Sequence, residues 1–237
     1  MKPTVVLVHG AFAESASWNG VVSRLRAESV PVVAVANPLR SVDGDAAYLR
    51  DVLASIEGPV VLVGHSYGGF VITEAAAGSG QVAGLVYVCA FAPEQGESAF
   101  ELSNKFPGGT LGAALTAYPV SSGGNELAIR PDAFHHQFAA DVSDSEAAVM
   151  SATQRPVTEA ALTGPLPTAT PAWQSIPSWF VFSDQDLNIP VELHRFMAAR
   201  AGAKGVQEVA GASHALSVSQ PEAVTASILE ALAAVSA

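Results

Sequence analysis

The sequence has little charge, a single cysteine and no apolar run long enough to cross a membrane. Only 14% of its 237 residues are charged and 49% are hydrophobic, whereas a typical globular chain is about a quarter charged. This composition excludes a disordered chain, which needs much charge and few apolar residues. Cys89 has no partner within the chain, so there is no intrachain disulfide framework, and we expect a cytoplasmic location.

Basic residues are scarce as well. Eleven Lys and Arg face 22 Asp and Glu, which gives a formal charge of −11. Such a charge repels nucleic-acid phosphates and anionic lipids, so we expect neither nucleic acid nor a membrane as a partner. The longest nearly apolar stretch, 82–92, is about half of the roughly 20 residues that a spanning helix needs. The short run at 5–8 is broken by His9 and predicts a strand rather than a signal peptide.

Short Val-, Leu- and Ile-rich runs alternate with Ala-rich segments of helical periodicity, which is typical of a parallel sheet covered on both faces. We predict one α/β domain over 1–237 with about six strands. The predicted strands are 4–9, 31–36, 60–64, 84–89, 178–183 and 206–209, and the predicted helices are 17–29, 45–57, 67–77, 190–201 and 221–234. Between about residues 93 and 176 the alternation of strand-like and helical segments stops, which predicts that a small helical cap is inserted there. Ser219 and Glu222 have the spacing of a capping box for the last helix.

The strongest local motif is Gly64-His65-Ser66-Tyr67-Gly68, which directly follows the apolar run 59–63 and precedes a helical segment. A serine at the tip of such a strand-to-helix turn is held in strained geometry with its hydroxyl above the sheet. The flanking glycines, Gly64 and Gly68, let strand and helix approach closely. The placement of the motif, more than the bare pattern, predicts that Ser66 is a nucleophile.

A serine hydroxyl is a weak nucleophile at neutral pH, so it needs a histidine base and a carboxylate that orients the histidine. His214 follows the last predicted strand, and Asp186 follows the strand 178–183. Asp184 is the alternative acid, although it is better placed to bind strand-end amides. The order Ser, Asp, His is the one found on this sheet architecture, and all three residues follow strand ends, where ligands bind in open α/β sheets.

With these motifs, the chain resembles the α/β-hydrolase superfamily, and most closely the branch of plant methylesterases, hydroxynitrile lyases and their bacterial relatives. The resemblance rests on four segments: residues 5–12 near the start of the chain, the strand-to-helix turn at 64–68, residues 179–190 and residues 211–214. It implies the α/β-hydrolase fold and an esterase that needs no cofactor, with a small-molecule ester as its partner. It also implies that the backbone amides of Ala11 and Tyr67 form the oxyanion hole, while the oligomeric state is not predicted.

Several other interpretations remain open at this point. The lyases of this branch carry a lysine soon after the catalytic histidine, and Ala215-Leu216-Ser217 has none, so a lyase is disfavoured relative to an esterase. A lactonase, a perhydrolase or a ligand receptor that retains the triad would fit the same motifs. His135 and His136 lack the spacing of a metal pair, and no nucleotide-binding motif is present, so we predict no metal and no cofactor. We expect at least two or three cap aromatics to line the pocket.

Overall fold

The computed structural model describes residues 2–121 and 123–236. The strands in this part of the chain are β1 (Thr4–Val8), β2 (Val32–Val35), β3 (Val60–His65), β4 (Val82–Val88), β5 (Leu115–Pro119), β6 (Asn125–Ile129), β7 (Val157–Thr158), β8 (Ser178–Ser183) and β9 (Gly205–Val209). The helices are α1 (Asn19–Ala27), α2 (Val42–Ala54), α3 (Gly68–Ala75), α4 (Ala99–Ser103), α5 (Leu111–Ala114), α6 (Pro131–Phe138), α7 (Asp144–Thr153), α8 (Glu159–Thr163), α9 (Val191–Arg200), α10 (Leu216–Ser219) and α11 (Pro221–Val235).

Six of the strands form one parallel sheet in the order β2-β1-β3-β4-β8-β9. The predicted six-stranded α/β architecture is therefore confirmed, and strand 178–183 has the predicted bounds. All six residues of β3 are buried. Because successive side chains of a strand point to opposite faces, their complete burial means that both faces of the sheet are covered. Helices α1 and α11 pack together, as do α2 and α3.

The chain between β4 and β8 differs from the predicted helical cap. It contains the five short helices α4 to α8, but it also contains β5, β6 and β7, which form a separate three-stranded antiparallel sheet. The cap is therefore mixed rather than purely helical. Its buried apolar side chains belong to the same cluster as those of the main sheet. This supports one domain with an insertion at 93–176, which stays a prediction.

The predicted capping box at the last helix is wrong. Ser219 ends the short helix α10, and its hydroxyl is buried without a hydrogen-bond partner. Helix α11 starts at Pro221 without a side-chain cap, and Glu222 pairs with Arg24 on α1. Proline suits this first position because it has no N–H to satisfy and its φ is already helical. Within the described residues, none of the helices is both long and apolar enough to cross a bilayer.

Candidate active site

Ser66 sits on a sharp turn between β3 and α3. Its φ is 53°, a left-handed conformation that is unusual for a residue other than glycine. The neighbouring glycines make this turn possible. A Cβ at Gly64 would lie 2.7 Å from the backbone oxygen of Gly68, and a Cβ at Gly68 would lie 2.5 Å from that of Val8. The backbone geometry thus confirms the predicted strand-to-helix turn and the close approach that its two glycines permit.

Asp186 and His214 meet after β8 and β9, as their positions in the sequence predict. Nδ1 of His214 donates to Oδ2 of Asp186 at 2.7 Å, and both side chains are buried. The other oxygen of Asp186, Oδ1, accepts the backbone N–H groups of Asn188 and Ile189 at 2.8 and 2.9 Å. Burial alone would raise the pKa of Asp186, but its interactions with His214 and with His194 outweigh this and hold that pKa well below its usual range.

His65 links this pair to the serine turn. Its Nε2 donates to the backbone oxygen of His214 at 3.0 Å, and the two imidazole rings lie 4.7 Å apart. Burial lowers the pKa of His65 to about 3, so this ring is neutral at neutral pH. Ser66 directly follows His65 in the chain, but among the described residues its hydroxyl has no hydrogen-bond partner. The structure thus joins Asp186 to His214 directly, and it connects Ser66 to this pair only through the neighbouring residue His65.

Two backbone amides at the turn are free to bind an anion. Ala11 follows β1 and Tyr67 follows Ser66, and both residues are buried. Over residues 2–121 and 123–236, neither of their N–H groups donates to a protein acceptor. The next amide along the β1 loop, that of Phe12, is instead occupied by the backbone oxygen of Arg155 in the cap, at 3.1 Å. The amides of Ala11 and Tyr67 are therefore available to an acceptor from outside the protein.

Asp184, the alternative acid, and His9, which directly follows β1, both have structural partners. Asp184 accepts the backbone N–H of Gly211 at 2.7 Å, which is the role that the sequence suggested for it. His9 donates from Nδ1 to the backbone oxygen of Gly10 at 2.9 Å and accepts the backbone N–H of Asn37 at Nε2. Burial lowers the pKa of His9 to about 4. These residues hold the loops in place rather than face a reacting group.

His135 of the cap has structural partners in the described part of the chain, and Cys89 is buried. His135 on α6 contacts Asp144 and the backbone oxygen of Val142, and it is not in a group of metal-ligating side chains. Cys89 is buried, and burial raises the pKa of its thiol far above the usual range. A protonated thiol is neither a nucleophile nor a good metal ligand.

Sequence reasoning missed His194, which lies on α9. Its Nε2 is 3.2 Å from Oδ2 of Asp186, so that one oxygen contacts two histidines. Ligand atoms of Cys89, Asp186 and His194 lie within 4.8 Å of one another. A metal does not fit this group well, because both carboxylate oxygens already accept N–H donors and the thiol is protonated. The only signal in the sequence was the spacing of eight residues from Asp186, which does not specify a contact.

Ser66, Ala11 and Tyr67 open onto a cavity of about 440 Å³. Most of the cavity wall is apolar. Residues of the loops at the main sheet and residues of the cap both line it, among them Phe12, Phe91, Leu111, Leu115, Leu127 and Ile189. Only one of the six predicted cap aromatics, Phe100, lines the cavity; the other five are Phe106, Tyr118, Phe134, Phe138 and Trp173. The expectation of two or three was wrong, because the other rings that are buried, such as Phe134 and Phe138, pack into the core.

Comparisons with known proteins agree with this architecture. A family model described as the alpha/beta hydrolase family matches residues 5–227. The chain belongs to that family. It is also 30% identical over 213 residues to an alpha/beta hydrolase of Aspergillus novofumigatus, a match that covers 80% of each chain. A carbendazim-hydrolysing esterase of Nocardioides is 36% identical over 135 residues, covering 46% of this chain and 54% of the esterase.

Solved structures share the fold at lower identity. Polyneuridine aldehyde esterase superposes with a TM-score of 0.83 at 22% identity, covering 97% of this chain and 99% of its own. A pyrethroid hydrolase from Sphingobium faniae superposes with a TM-score of 0.76 at 24% identity, covering 98% of both chains. A methylesterase from Arabidopsis gives 0.81 at 18% identity, covering 98% of this chain and 99% of the methylesterase. These likenesses establish the shared fold of the hydrolase family.

Proposed function

We propose that this protein is a serine hydrolase that cleaves small carboxylic esters through an acyl-enzyme. The observation that carries the proposal is the 2.7 Å hydrogen bond between His214 and Asp186, formed beside a serine that is held in a left-handed turn. A buried carboxylate on Nδ1 fixes the tautomer whose Nε2 lone pair is free to take a proton. Three residues from distant parts of the sequence thus supply a nucleophile, a base and an orienting group.

The proposed reaction has two stages. In the first, Oγ of Ser66 attacks the ester carbonyl carbon while Nε2 of His214 takes the hydroxyl proton, and the tetrahedral intermediate then expels the alcohol, which receives that proton. In the second, His214 takes a proton from a water molecule whose oxygen attacks the acyl carbon. The tetrahedral intermediate then expels Oγ of Ser66, which receives that proton from His214, and the carboxylic acid leaves. Asp186 stays ionised and stabilises the imidazolium in both stages.

The free amides of Ala11 and Tyr67 are the proposed oxyanion hole. Both adjoin Ser66 at the cavity and lack protein acceptors, so they can donate to the carbonyl oxygen as it becomes negative. Each such donor lowers the barrier by about 3 kcal/mol. The bond between the Phe12 amide and the cap fixes the turn that carries the Ala11 amide.

The cavity and the relatives support an ester as the substrate. An apolar space of about 440 Å³ accommodates a compact aromatic or aliphatic ester and offers few polar partners for a sugar or a nucleotide. The Nocardioides relative is described as an esterase, as is the structurally similar polyneuridine aldehyde esterase. We also propose a cytoplasmic location with neither nucleic acid nor a membrane as a partner.

Replacement of Ser66 by alanine tests the proposal. We expect Ser66→Ala to lose at least ~10³-fold in kcat on short p-nitrophenyl esters, with an unchanged circular dichroism spectrum. Ser227→Ala, which removes another buried serine hydroxyl that does not line the cavity, is the matched control and should keep its activity. Wild-type turnover by Ser66→Ala would refute the serine mechanism.

Two further measurements separate the alternatives. Stoichiometric labelling of Ser66 by a phosphonate or sulfonyl fluoride identifies an activated nucleophile, whereas tight ligand binding without labelling would identify a receptor. Parallel assays of cyanide release, lactone opening and peracid formation distinguish a lyase, a lactonase and a perhydrolase from the esterase.

A further inference from the structure

His194 donates a hydrogen bond to the carboxylate at the centre of the proposed triad. Asp186 is ionised and can only accept hydrogen bonds, so the 3.2 Å contact with Nε2 of His194 requires a hydrogen on that nitrogen. Nδ1 of the same ring is buried and has no partner among the described residues. A proton there would leave an unsatisfied buried N–H, which is costly. The contacts therefore select the neutral ring with its hydrogen on Nε2.

The surroundings of the ring favour the same state. His194 is 1% exposed and stacks on Phe182 with 5.0 Å between ring centres and 13° between planes. Burial lowers the pKa of His194, and its contact with Asp186 only partly offsets that. A charged His194 would neutralise the carboxylate on which His214 depends. A neutral one supplies a donor and leaves the full negative charge for His214.

We propose that His194 is a positioning residue, which fixes the plane of the Asp186 carboxylate so that Oδ2 faces Nδ1 of His214. Backbone amides fix Oδ1 from one side, and His194 fixes Oδ2 from helix α9. Without His194, Oδ2 has one donor fewer, and only the two amides on Oδ1 and His214 itself oppose rotation of the carboxylate about its Cβ–Cγ bond. This inference rests on the proposed function, because it assigns a role within the same triad.

The loss of that donor has a specific effect on the pH profile. A carboxylate with one donor fewer attracts the imidazolium of His214 more strongly. The acidic limb of the pH dependence of kcat/KM, which reports the free enzyme, should therefore move to higher pH. A purely structural role for His194 would lower activity or stability without moving this limb.

Other titratable groups face this cluster from several elements. Cys89 lies at the end of β4 and His65 at the end of β3, whereas Glu208 belongs to β9 and Asp141 to the loop after α6. None of them is altered in the variants proposed below. A difference in pH profile between those variants therefore reports the changed ring and not these neighbours.

Nitrogen NMR of the unmodified protein is the first test, and it requires neither a variant nor a substrate. With ¹⁵N-labelled histidine, we expect His194 to be neutral with its hydrogen on Nε2 throughout pH 6–8. A hydrogen on Nδ1 alone, or a doubly protonated ring in that range, would overturn the proposal. Because the measurement is independent of turnover, its failure is distinct from a failure of the esterase assignment.

The second test compares two variants. His194→Phe keeps the ring volume and the stacking on Phe182 but removes the donor, whereas His194→Gln restores an N–H donor. We expect His194→Phe to lose about 10-fold in kcat with little change in KM, and its acidic limb to rise by about half a pH unit. His194→Gln should retain most of the wild-type kcat, and the acidic limb of its kcat/KM profile should lie at the same pH as in the wild type.

Two results would overturn the positioning role. One is a pH profile of His194→Phe that superimposes on the wild-type profile, and the other is an equal loss in both variants together with an equally lowered melting temperature. If His194→Phe does not fold, the smaller His194→Leu gives the same comparison with His194→Gln, and the NMR result on the wild type stands independently.

Discussion

At the scale of single residues, the space around Ser66 is limited by Gly10, which lies in the loop after β1. A Cβ at Gly10 would lie 2.6 Å from Cβ of Ser66 and 2.7 Å from the backbone oxygen of His65. No side chain at position 10 can avoid that contact without displacing Ser66. The position of Ser66 thus depends on Gly10 as well as on the glycines of its own turn.

We therefore expect Gly10→Ala to lower kcat by at least 10-fold, because small displacements of reacting groups are costly. It should also lower the free energy of unfolding by about 1–3 kcal/mol through overpacking. Ester kinetics and urea unfolding measure the two effects. Gly80→Ala is the matched control, since nothing lies within 4 Å of a Cβ at that position. Equal activity in both variants would show that the turn tolerates displacement.

A single acidic residue contributes charge to the cavity wall. Of the side chains that line the cavity, only Glu159 carries a formal charge, and it is exposed at the start of α8. We expect Glu159→Gln to raise kcat/KM about 3-fold for an ester that carries a second carboxylate, relative to a neutral ester of the same size. The difference should shrink as salt is added. Glu146→Gln, on α7 and outside the cavity lining, should leave the ratio unchanged.

At the scale of elements, the cap is attached to the loop that carries His214. The backbone oxygen of Phe138, at the end of α6, accepts the N–H of Ala215 at 3.0 Å and the hydroxyl of Ser213 at 3.3 Å. The single hydrogen of the Ser213 hydroxyl is shared with the carboxylate of Asp141, which is its nearer acceptor. The residues on both sides of His214 are therefore held by the cap, and the ring of Phe138 packs edge-on against the imidazole.

This attachment predicts a catalytic effect from a residue that does not line the cavity. Asp141→Ala should lower kcat by about 3- to 10-fold, because the His214 loop loses one of its anchors, and KM should change little. Steady-state ester kinetics test this, with Asp132→Ala, an exposed acid on α6 itself, as the control. A change in KM alone would instead assign Asp141 to substrate binding.

The elements of the main sheet were predictable from the sequence, and those of the cap were not. Strand β8 is wholly buried, and its apolar run between loop signals marks it clearly. Strand β5 is almost entirely exposed, so neither burial nor alternation identifies it. The same difference separates the site residues that the sequence indicates from the one that it does not. Ser66, Asp186 and His214 follow strand ends and could be predicted, whereas His194 lies within a helix, and its contact depends on how α9 packs.

At the scale of the whole molecule, buried neutral histidines make stability depend on pH. His65 has a pKa of about 3 in the folded protein and about 6.5 when unfolded. Only the unfolded chain gains a proton between these values, so the stabilisation is complete above pH ~6.5 and is lost progressively as the pH falls toward 3. His9, with a folded pKa of about 4, acts in the same direction.

Urea unfolding at pH 7.5, 6.5, 5.5 and 4.5 should therefore show stability decreasing with acidification. Each such histidine contributes a slope of about 1.4 kcal/mol per pH unit below pH ~6. His65→Gln retains a donor for the backbone oxygen of His214 but cannot titrate, so the slope should become shallower by about that amount. An unchanged slope in His65→Gln would mean that His65 does not remain neutral in the folded state.

The hydrogen bonds between the cap and the loop that carries His214 also limit how this enzyme can be re-engineered. Exchanging the whole insertion for that of a relative would replace the Asp141 carboxylate and the segment that presents the Phe138 carbonyl, which hold the residues on both sides of His214. A productive chimera would need to retain the stretch from Phe138 to Asp141 while exchanging the leucine-rich walls before it. A change in this segment is therefore expected to alter the position of His214 as well as the wall of the cavity.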